Sequence, residues 1–272
     1  MGNKGITLST SDPAGETILE VLKDVGFEQI DESVLKLNHI YLFVIDPLIV
    51  PEERYTVPKQ PDPYPADFDR ISEEYDIDYF VVASRHWSSS GKPCLTVHPT
   101  GNFGKAMYGG HPRELQQTIA NPMRNIFLEL ADDPPSGYDV SLEATHHSPT
   151  QFETPMFFAE VGSREREWRN RETCEYLVKS ILRGMDSEKK APVAIGFGGG
   201  HYCPTFTSME EEMAFGHIAA KYNLDLLTED LIDQMIRKTS EDVSHAVLDS
   251  VKGYQQKKIE VTLRKAGIPI KD

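Results

Sequence analysis

Apolar positions along the chain fall into short blocks separated by polar, Gly- and Pro-rich punctuation. Residues 6–9 read as a first strand. Asp12-Pro13 then reads as a helix N-cap and first helical residue. Ile18, Leu22 and Val25 share one stripe, which Gly26 closes. Residues 39–45 are a continuous apolar strand ending at Asp46-Pro47, and the five prolines between Pro51 and Pro65 predict an extended surface loop. Further strands are expected over 79–83, 94–97, 138–144, 155–161 and 193–197. Helices are expected over 113–130, interrupted at Asn121-Pro122, and over 164–183 behind Ser163. A further helix runs from a Ser208/Glu211 capping box to Lys221, with two more near 229–237 and 241–256. Strands alternating with helices predict one α/β domain over residues 1–272. Its core is a three-layer sandwich with a central mixed, largely parallel sheet.

Composition narrows the function. The formal net charge is −15, which argues against a generic nucleic-acid binder. No apolar run is long enough to span a bilayer, and the start of the chain has no secretory pattern. Cys94, Cys174 and Cys203 occur in no C-x-x-C pattern, which argues against a disulfide scaffold or a thiolate zinc site and predicts a reducing, cytoplasmic setting; separately, no obligate protein partner is expected. The charge is uneven. Residues 1–80 carry 17 acidic and 6 basic residues, whereas 81–113 carry Arg85, Lys92, Lys105 and Arg113 and no acid. A second charge-free run spans Ala191 to Met209. A 33-residue stretch without a carboxylate is either a buried segment or the wall of a pocket for an anionic ligand.

Several histidines follow directly on expected strands: His86, His98, His146 with His147, and His201 after a glycine loop. Ligands of α/β sheets gather beyond the strand ends, so these imidazoles are expected at one sheet edge. If the strand after Asp139 continued, Glu143 and His147 would share a face, as a ligand and general-base pair or as a carboxylate orienting an imidazole, and His146 would point away; alternatively Glu143 is a buried carboxylate satisfied by backbone donors. Candidate metal ligands are His86, His98, His111, His146, His147 and His201, with Glu143 and Glu160 as carboxylates. There is no H-E-x-x-H, Walker A, G-x-G-x-x-G or G-x-S-x-G signature. Gly198, Gly199 and Gly200 can bring backbone N–H groups close to a phosphate or ribose, or simply make a tight turn. His217, one helical turn after Met213, reads as half-buried structure, and His39 and His245 have no polar cluster beside them.

Ser84-Arg85-His86, Leu95-Thr96-Val97-His98 with Thr100-Gly101-Asn102, and Leu142-Glu143-Ala144-Thr145-His146-His147 with Pro149-Thr150 form a distinctive set. With Gly198-Gly199-Gly200-His201-Tyr202 and Phe215-Gly216-His217 through Tyr222, they resemble the archaeal and plant type of D-aminoacyl-tRNA deacylase. The resemblance runs from about residue 40 to 230. It implies a fold similar to peptidyl-tRNA hydrolases and nucleoside phosphorylases. It also implies hydrolysis of the ester between a D-amino acid and the tRNA 3′ end, with bound zinc, expected here as two ions. The site is expected to use Glu143, His146 and His86 in catalysis and His98, His147 and His201 at the metal. Arg85, Thr100, Asn102, Lys105 and Gly198 to Gly200 are expected at the substrate. The alternatives are a zinc-dependent peptidase or amidohydrolase and a noncatalytic binder of the tRNA 3′ end.

Overall fold

The computed structural model describes residues 2–45 and 66–271, so the proline-rich loop expected between Pro51 and Pro65 lies outside the described residues. An eight-stranded sheet has the order β2-β3-β4-β1-β5-β8-β6-β7. Its strands are β1 (Asn3–Leu8), β2 (Glu28–Asp31), β3 (Val34–Leu37), β4 (Ile40–Val44), β5 (Ile77–Trp87), β6 (Cys94–His98), β7 (Asp139–Leu142) and β8 (Met156–Ser163). The middle of the sheet, β4-β1-β5-β8, is parallel; β6 runs antiparallel to β8, and β7 is parallel to β6. The fold is therefore α/β with a large, mostly parallel central sheet, as the alternating pattern predicts.

Alternation sorts the side chains of this sheet. Tyr79, Val81 and Ala83 of β5 and Phe157, Ala159 and Val161 of β8 face one core. That core is closed by α1 (Pro13–Val25), α3 (Ala120–Asp132) and α5 (Arg171–Asp186). Phe80, Val82, Met156 and Phe158 face the opposite side, under α2 (Phe68–Tyr75). Asp12 caps α1 by accepting from Ala14 N, and Gly26 ends it at a φ of 111°. Val25 is exposed and takes no part in the stripe expected of it.

Three expectations fail for identifiable reasons. The helix expected from residue 113 begins only at Ala120, because Pro122 lacks an N–H and fits the first turn alone. The carboxylate of Glu241 accepts from the free N–H groups of Ala120 and Asn121 there. The long helix over 164–183 is two, α4 (Glu165–Trp168) and α5, divided at Asn170, which caps α5. The helices expected to reach Lys221 and to cover 241–256 give way to strands. These are β10 (Ala214–Ala219) and β11 (Val243–Asp249), which flank β9 (Val193–Gly198) in a second, parallel sheet that β12 (Ile270–Lys271) completes. All six residues of β10 are buried, and the gain of pairing with β9 overrides the local capping signal at Ser208. Only the short α6 (Pro204–Met209) forms there, and α7 (Glu229–Arg237) and α8 (Gly253–Lys265) cover the outer face of this sheet. No helix among the described residues is long and apolar enough to cross a membrane.

One histidine ties the second sheet to two loops that flank the first. His217 on β10 is fully buried. Its Nε2 lies 3.0 Å from Gln116 O, which only accepts, so Nε2 carries the proton and donates. Nδ1 therefore accepts from the Thr145 hydroxyl at 3.2 Å, and that oxygen in turn accepts from Ile218 N. Burial pushes the His217 imidazole down to about 3 from 6.5. Unfolding exposes a base that binds a proton below pH 6.5, so this contribution to stability is full above 6.5 and is lost as pH falls toward 3. Replacing His217 with Gln is expected to cost about 1–3 kcal/mol at pH 8, the usual cost of orphaning a buried polar partner. Thermal melts from pH 8 to 4.5 should also show a shallower acid slope than in the parent chain.

Candidate active site

The polar end of the α2-covered face carries the site. Ser84 is in register with Glu160 and His86 with Gly162 on β5 and β8, while Thr96 and His98 of β6 lie opposite Glu160 and Phe158. His86, Glu160 and His98 thus project from one face of three adjacent strands. Glu143 follows β7, which ends at Leu142. The alternation expected through His147 stops there. The chain turns, with His147 at a φ of 45°, and both His146 and His147 face the cluster. His201 comes from the second sheet, on the loop after β9. Because β6 runs against β5 and β8, the imidazoles do not line one sheet edge; they converge from opposing strand directions.

The loops bearing these groups are tied to each other. Gly101 N donates to His147 O, Ala144 N to His201 O and Thr145 N to Ile218 O. Thr100 donates its hydroxyl to Pro149 O. Gly198 is at φ 99°, and a Cβ there would sit 2.0 Å from Asp249 O. That glycine serves the close approach of the loop to β11, which swings His201 over Glu143. Gly199 is likewise packed on Asp249, its N–H donating to Asp249 O, whereas Gly200 faces open space.

Glu143 is fully buried at the centre. Its Oε1 lies 3.0 Å from His86 Nδ1 and its Oε2 2.9 Å from His201 Nε2 and 3.6 Å from His146 Nε2. None of these approaches is a well-aligned hydrogen bond, so both oxygens are left without a proper donor. Glu160 accepts from the Ser84 hydroxyl at 2.8 Å, and its Oε2 is 3.4 Å from His86 Nδ1 and 3.7 Å from His98 Nε2. Burial alone would raise both carboxyls, but His201 and His86 hold Glu143, and His86 and His98 hold Glu160, well below the usual carboxylate range. Burial works in the opposite sense on His86, which Cys94 and the two carboxylates nevertheless hold up in its charged form. Burial, reinforced by the neighbouring His98, drives His147 down to about 4 and also lowers His146. Those two rings are neutral.

Three rings share a further trait. The Nδ1 atoms of His98, His146 and His147 lie 3.2, 2.8 and 2.6 Å from the backbone carbonyls of Pro99, Ala144 and Ser148. A carbonyl only accepts, so each Nδ1 bears the hydrogen; the neutral His146 and His147 rings then offer a lone pair at Nε2, whereas at His98 burial pulls downward but Glu160 holds the ring above its ordinary value. The ring centroids of His146 lie 4.3, 4.5 and 4.7 Å from those of His98, His147 and His201. Two sets, His98/His146/His147 and Glu143/His146/His201, bring ligand atoms within 4.8 Å of one another, as does His86/Glu143/Glu160.

A cleft of about 650 Å³ opens beside His146 and His147. Gly101 to Arg113 supply much of its wall, so the carboxylate-free stretch does line a pocket, and no Asp or Glu lines it. Lys105 and Arg113 are the cations of its wall, and Tyr108 and Tyr222 are half-exposed rings on it.

A family comparison reads the same residues. The model of the D-aminoacyl-tRNA deacylase family matches residues 73–271. The chain belongs to this family. It is 39% identical over 196 residues to a D-aminoacyl-tRNA deacylase of Methanosarcina mazei, covering 70% of this chain and 65% of that protein. It is 36% identical over 197 residues to one of Ignicoccus hospitalis, covering 71% and 80%. The chain therefore spans about two thirds or less of the length of several deacylases it matches. A crystal structure of a conserved protein of unknown function superposes with a TM-score of 0.86 at 28% identity, over 99% of this chain and 94% of that one.

In this deacylase-family chain, the cluster brings together Glu143, His146, His86, His98, His147 and His201. Lys105 and Asn102 line the cleft, Asn102 by donating to Gly109 O and His111 O and so bracing the wall. Thr100 is buried and committed to Pro149. Arg85 projects to the face opposite His86, over the Trp168 ring at 5.2 Å and 3.9 Å from Asp12. His111, a candidate ligand from the sequence, is exposed and belongs to none of the ligand groups among the described residues. Gly162, Tyr202 and Tyr222 escaped the sequence reading of the site. Tyr202 OH meets His86 Nε2 at 3.1 Å and Tyr222 OH meets His201 Nδ1 at 3.0 Å. Tyr202 follows His201 directly and Tyr222 ends the last family-like motif, so their place in the chain was the available signal.

Proposed function

We propose that the chain hydrolyses the ester joining a D-amino acid to the 3′ end of tRNA, releasing the amino acid and tRNA. The carrying observation is Glu143: an ionised, fully buried carboxylate with an imidazole at each oxygen, beside a cleft without other carboxylates. Family membership supports the reading. The cleft falls within the roughly 300–1,000 Å³ typical of small-ligand sites and suits a terminal adenosine with its aminoacyl group. Lys105 and Arg113 meet phosphate charge, and the rings of Tyr108 and Tyr222 offer faces for a base. Glu143 accepts the proton given up by the attacking water and returns it to the departing ribose oxygen, so it ends the cycle as it began.

The donor set fits zinc. His98 Nε2 is buried with no hydrogen-bond partner, and the Nδ1 bonds of His146 and His147 leave their neutral Nε2 atoms bare; at His98 a metal would take the place of the proton that Glu160 favours. His98, His146 and His147 would hold one ion. His146 has a single free nitrogen and so can belong to only one of the two sets it shares. When bound, zinc polarises the ester carbonyl and lowers the pKa of water to about 7. A cytoplasmic setting goes with a tRNA substrate and with three unpaired, buried cysteines.

The test is turnover of D-Tyr-tRNA and L-Tyr-tRNA by the purified chain. Release of D-Tyr that stops with a chelator and returns with zinc is expected. Equal turnover of the L-ester, or binding without hydrolysis, would overturn the reading.

A further inference from the structure

Among the imidazoles around Glu143, His201 is anchored differently. His98, His146 and His147 are oriented by backbone carbonyls one or two residues away, which move with the ring they hold. His201 has no such anchor. Its Nδ1 meets the Tyr222 hydroxyl, which arrives from the 3-10 turn Lys221–Leu226, 21 residues along the chain. A phenol keeps its proton at neutral pH, so the Tyr222 hydroxyl remains a hydrogen-bonding partner. The same residue is 54% exposed and its side chain stands in the cleft wall beside Asn223 and Leu226. One end of Tyr222 is thus a wall of the cleft, and the other end holds the ring 2.9 Å from Glu143. The corresponding contact on the other Glu143 oxygen is not built this way. Tyr202 holds His86, but it does not line the cleft.

We propose that Tyr222 is a positioning residue that couples occupancy of the cleft by a nucleotide to the orientation of His201. A base stacked on the Tyr222 ring fixes the ring plane, the ring fixes the hydroxyl, and the hydroxyl selects the His201 rotamer that presents Nε2 to Glu143. Binding energy collected in the cleft is thereby spent on ordering the reacting groups. The nucleotide occupant rests on the proposed function; the mechanical link rests on the Tyr222–His201 contact alone.

Adenosine 5′-monophosphate serves as the probe, with the chain labelled with 15N at histidine. The expected result has three parts. In the parent chain, AMP moves the His201 ring-nitrogen resonances. In Tyr222→Phe, which keeps the ring and removes the hydroxyl, AMP binds within about twofold of the parent but the His201 response is lost; kcat on D-Tyr-tRNA falls about tenfold with KM little changed, as loss of one orienting contact predicts. In Tyr222→Ala, AMP binding itself weakens about tenfold or more, as removal of a stacking ring does. Tyr202→Phe, the control, keeps the His201 response. The proposal is overturned if AMP does not bind, if it binds without moving His201, or if Tyr222→Phe responds like the parent. A parent chain that shows the imidazole response but no ester turnover would sink the deacylase reading and leave the coupling standing.

Discussion

Glu143→Gln is expected to lower single-turnover hydrolysis of D-Tyr-tRNA by about 10²–10⁴-fold, the range that a positioned acid–base group commands. The amide keeps the size of the side chain but cannot take a proton from water. It also removes the negative charge facing His86 and His201, so the remaining imidazoles lose the partner around which they are arranged. The loss should fall on kcat, because Glu143 lies behind the cleft and does not line it. Glu160→Gln provides the comparison. Glu160 is held by Ser84, His86 and His98 and acts on the ester only through them, so a smaller loss is expected. A Glu143→Gln chain that retains more than about a tenth of parental turnover would remove Glu143 from the mechanism.

Gly162→Ala is the second large effect, and it acts through space. A Cβ at this position would lie 2.7 Å from His86 O and 2.8 Å from both His86 Cβ and Cδ2. Backbone and ring are both in the way, so His86 must move. Overpacking of this kind costs about 1–3 kcal/mol. At this chain length, a melting temperature lower by about 2–4 °C for each kcal/mol follows. The more telling consequence is at Glu143: a displacement of about 1 Å in a positioned group can cost about 100-fold in rate. Gly5→Ala separates the two effects. Its Cβ would meet the Phe80 ring at 2.3 Å, on the apolar part of the same sheet. It should lower the melting temperature comparably while leaving kcat near the parental value at 25 °C. If both variants lose rate in proportion to stability, Gly162 is not shaping the site.

The elements that sequence foretold correctly are those whose local pattern and tertiary role agree. The apolar run at β4, the Asp12-Pro13 start and Gly26 stop of α1, and α7 are of this kind. Where they disagree, contacts distant in the chain decide. Ala214 to Ala219 has no strand punctuation, yet β9 claims it; Val243 to Asp249 is claimed from the other side of the same strand. The histidines and Glu143 were visible because imidazoles at strand ends are conspicuous. Their geometry was not, since the reversal of β6 relative to β8 is a pairing choice that no local pattern encodes. Gly162 was invisible for a related reason: its neighbour His86 lies 76 residues away and becomes adjacent only through strand register. Arg85 shows the opposite error. It stands next to His86 in the chain, and the pleat of β5 sends it to the other face.

The basic start of α4 and α5 has a consequence for how a polyanion meets this protein. Arg169 is bound to Glu16 and Glu165, and Arg171 to Glu20, Asp24 and Glu175, so their charge is spent on α1 and on their own helices. Lys105 and Arg113, in the cleft wall, have no such carboxylate among the described residues. With a net charge of −15, the body repels the long sides of an RNA duplex at distances beyond contact, while the cleft mouth does not. For the proposed tRNA substrate, this layout is expected to disfavour a duplex lying alongside and to admit a strand end pointing at the cleft. Any selectivity of the proposed enzyme for a terminus over a helix would then begin in the charge layout, before a base or amino acid is touched.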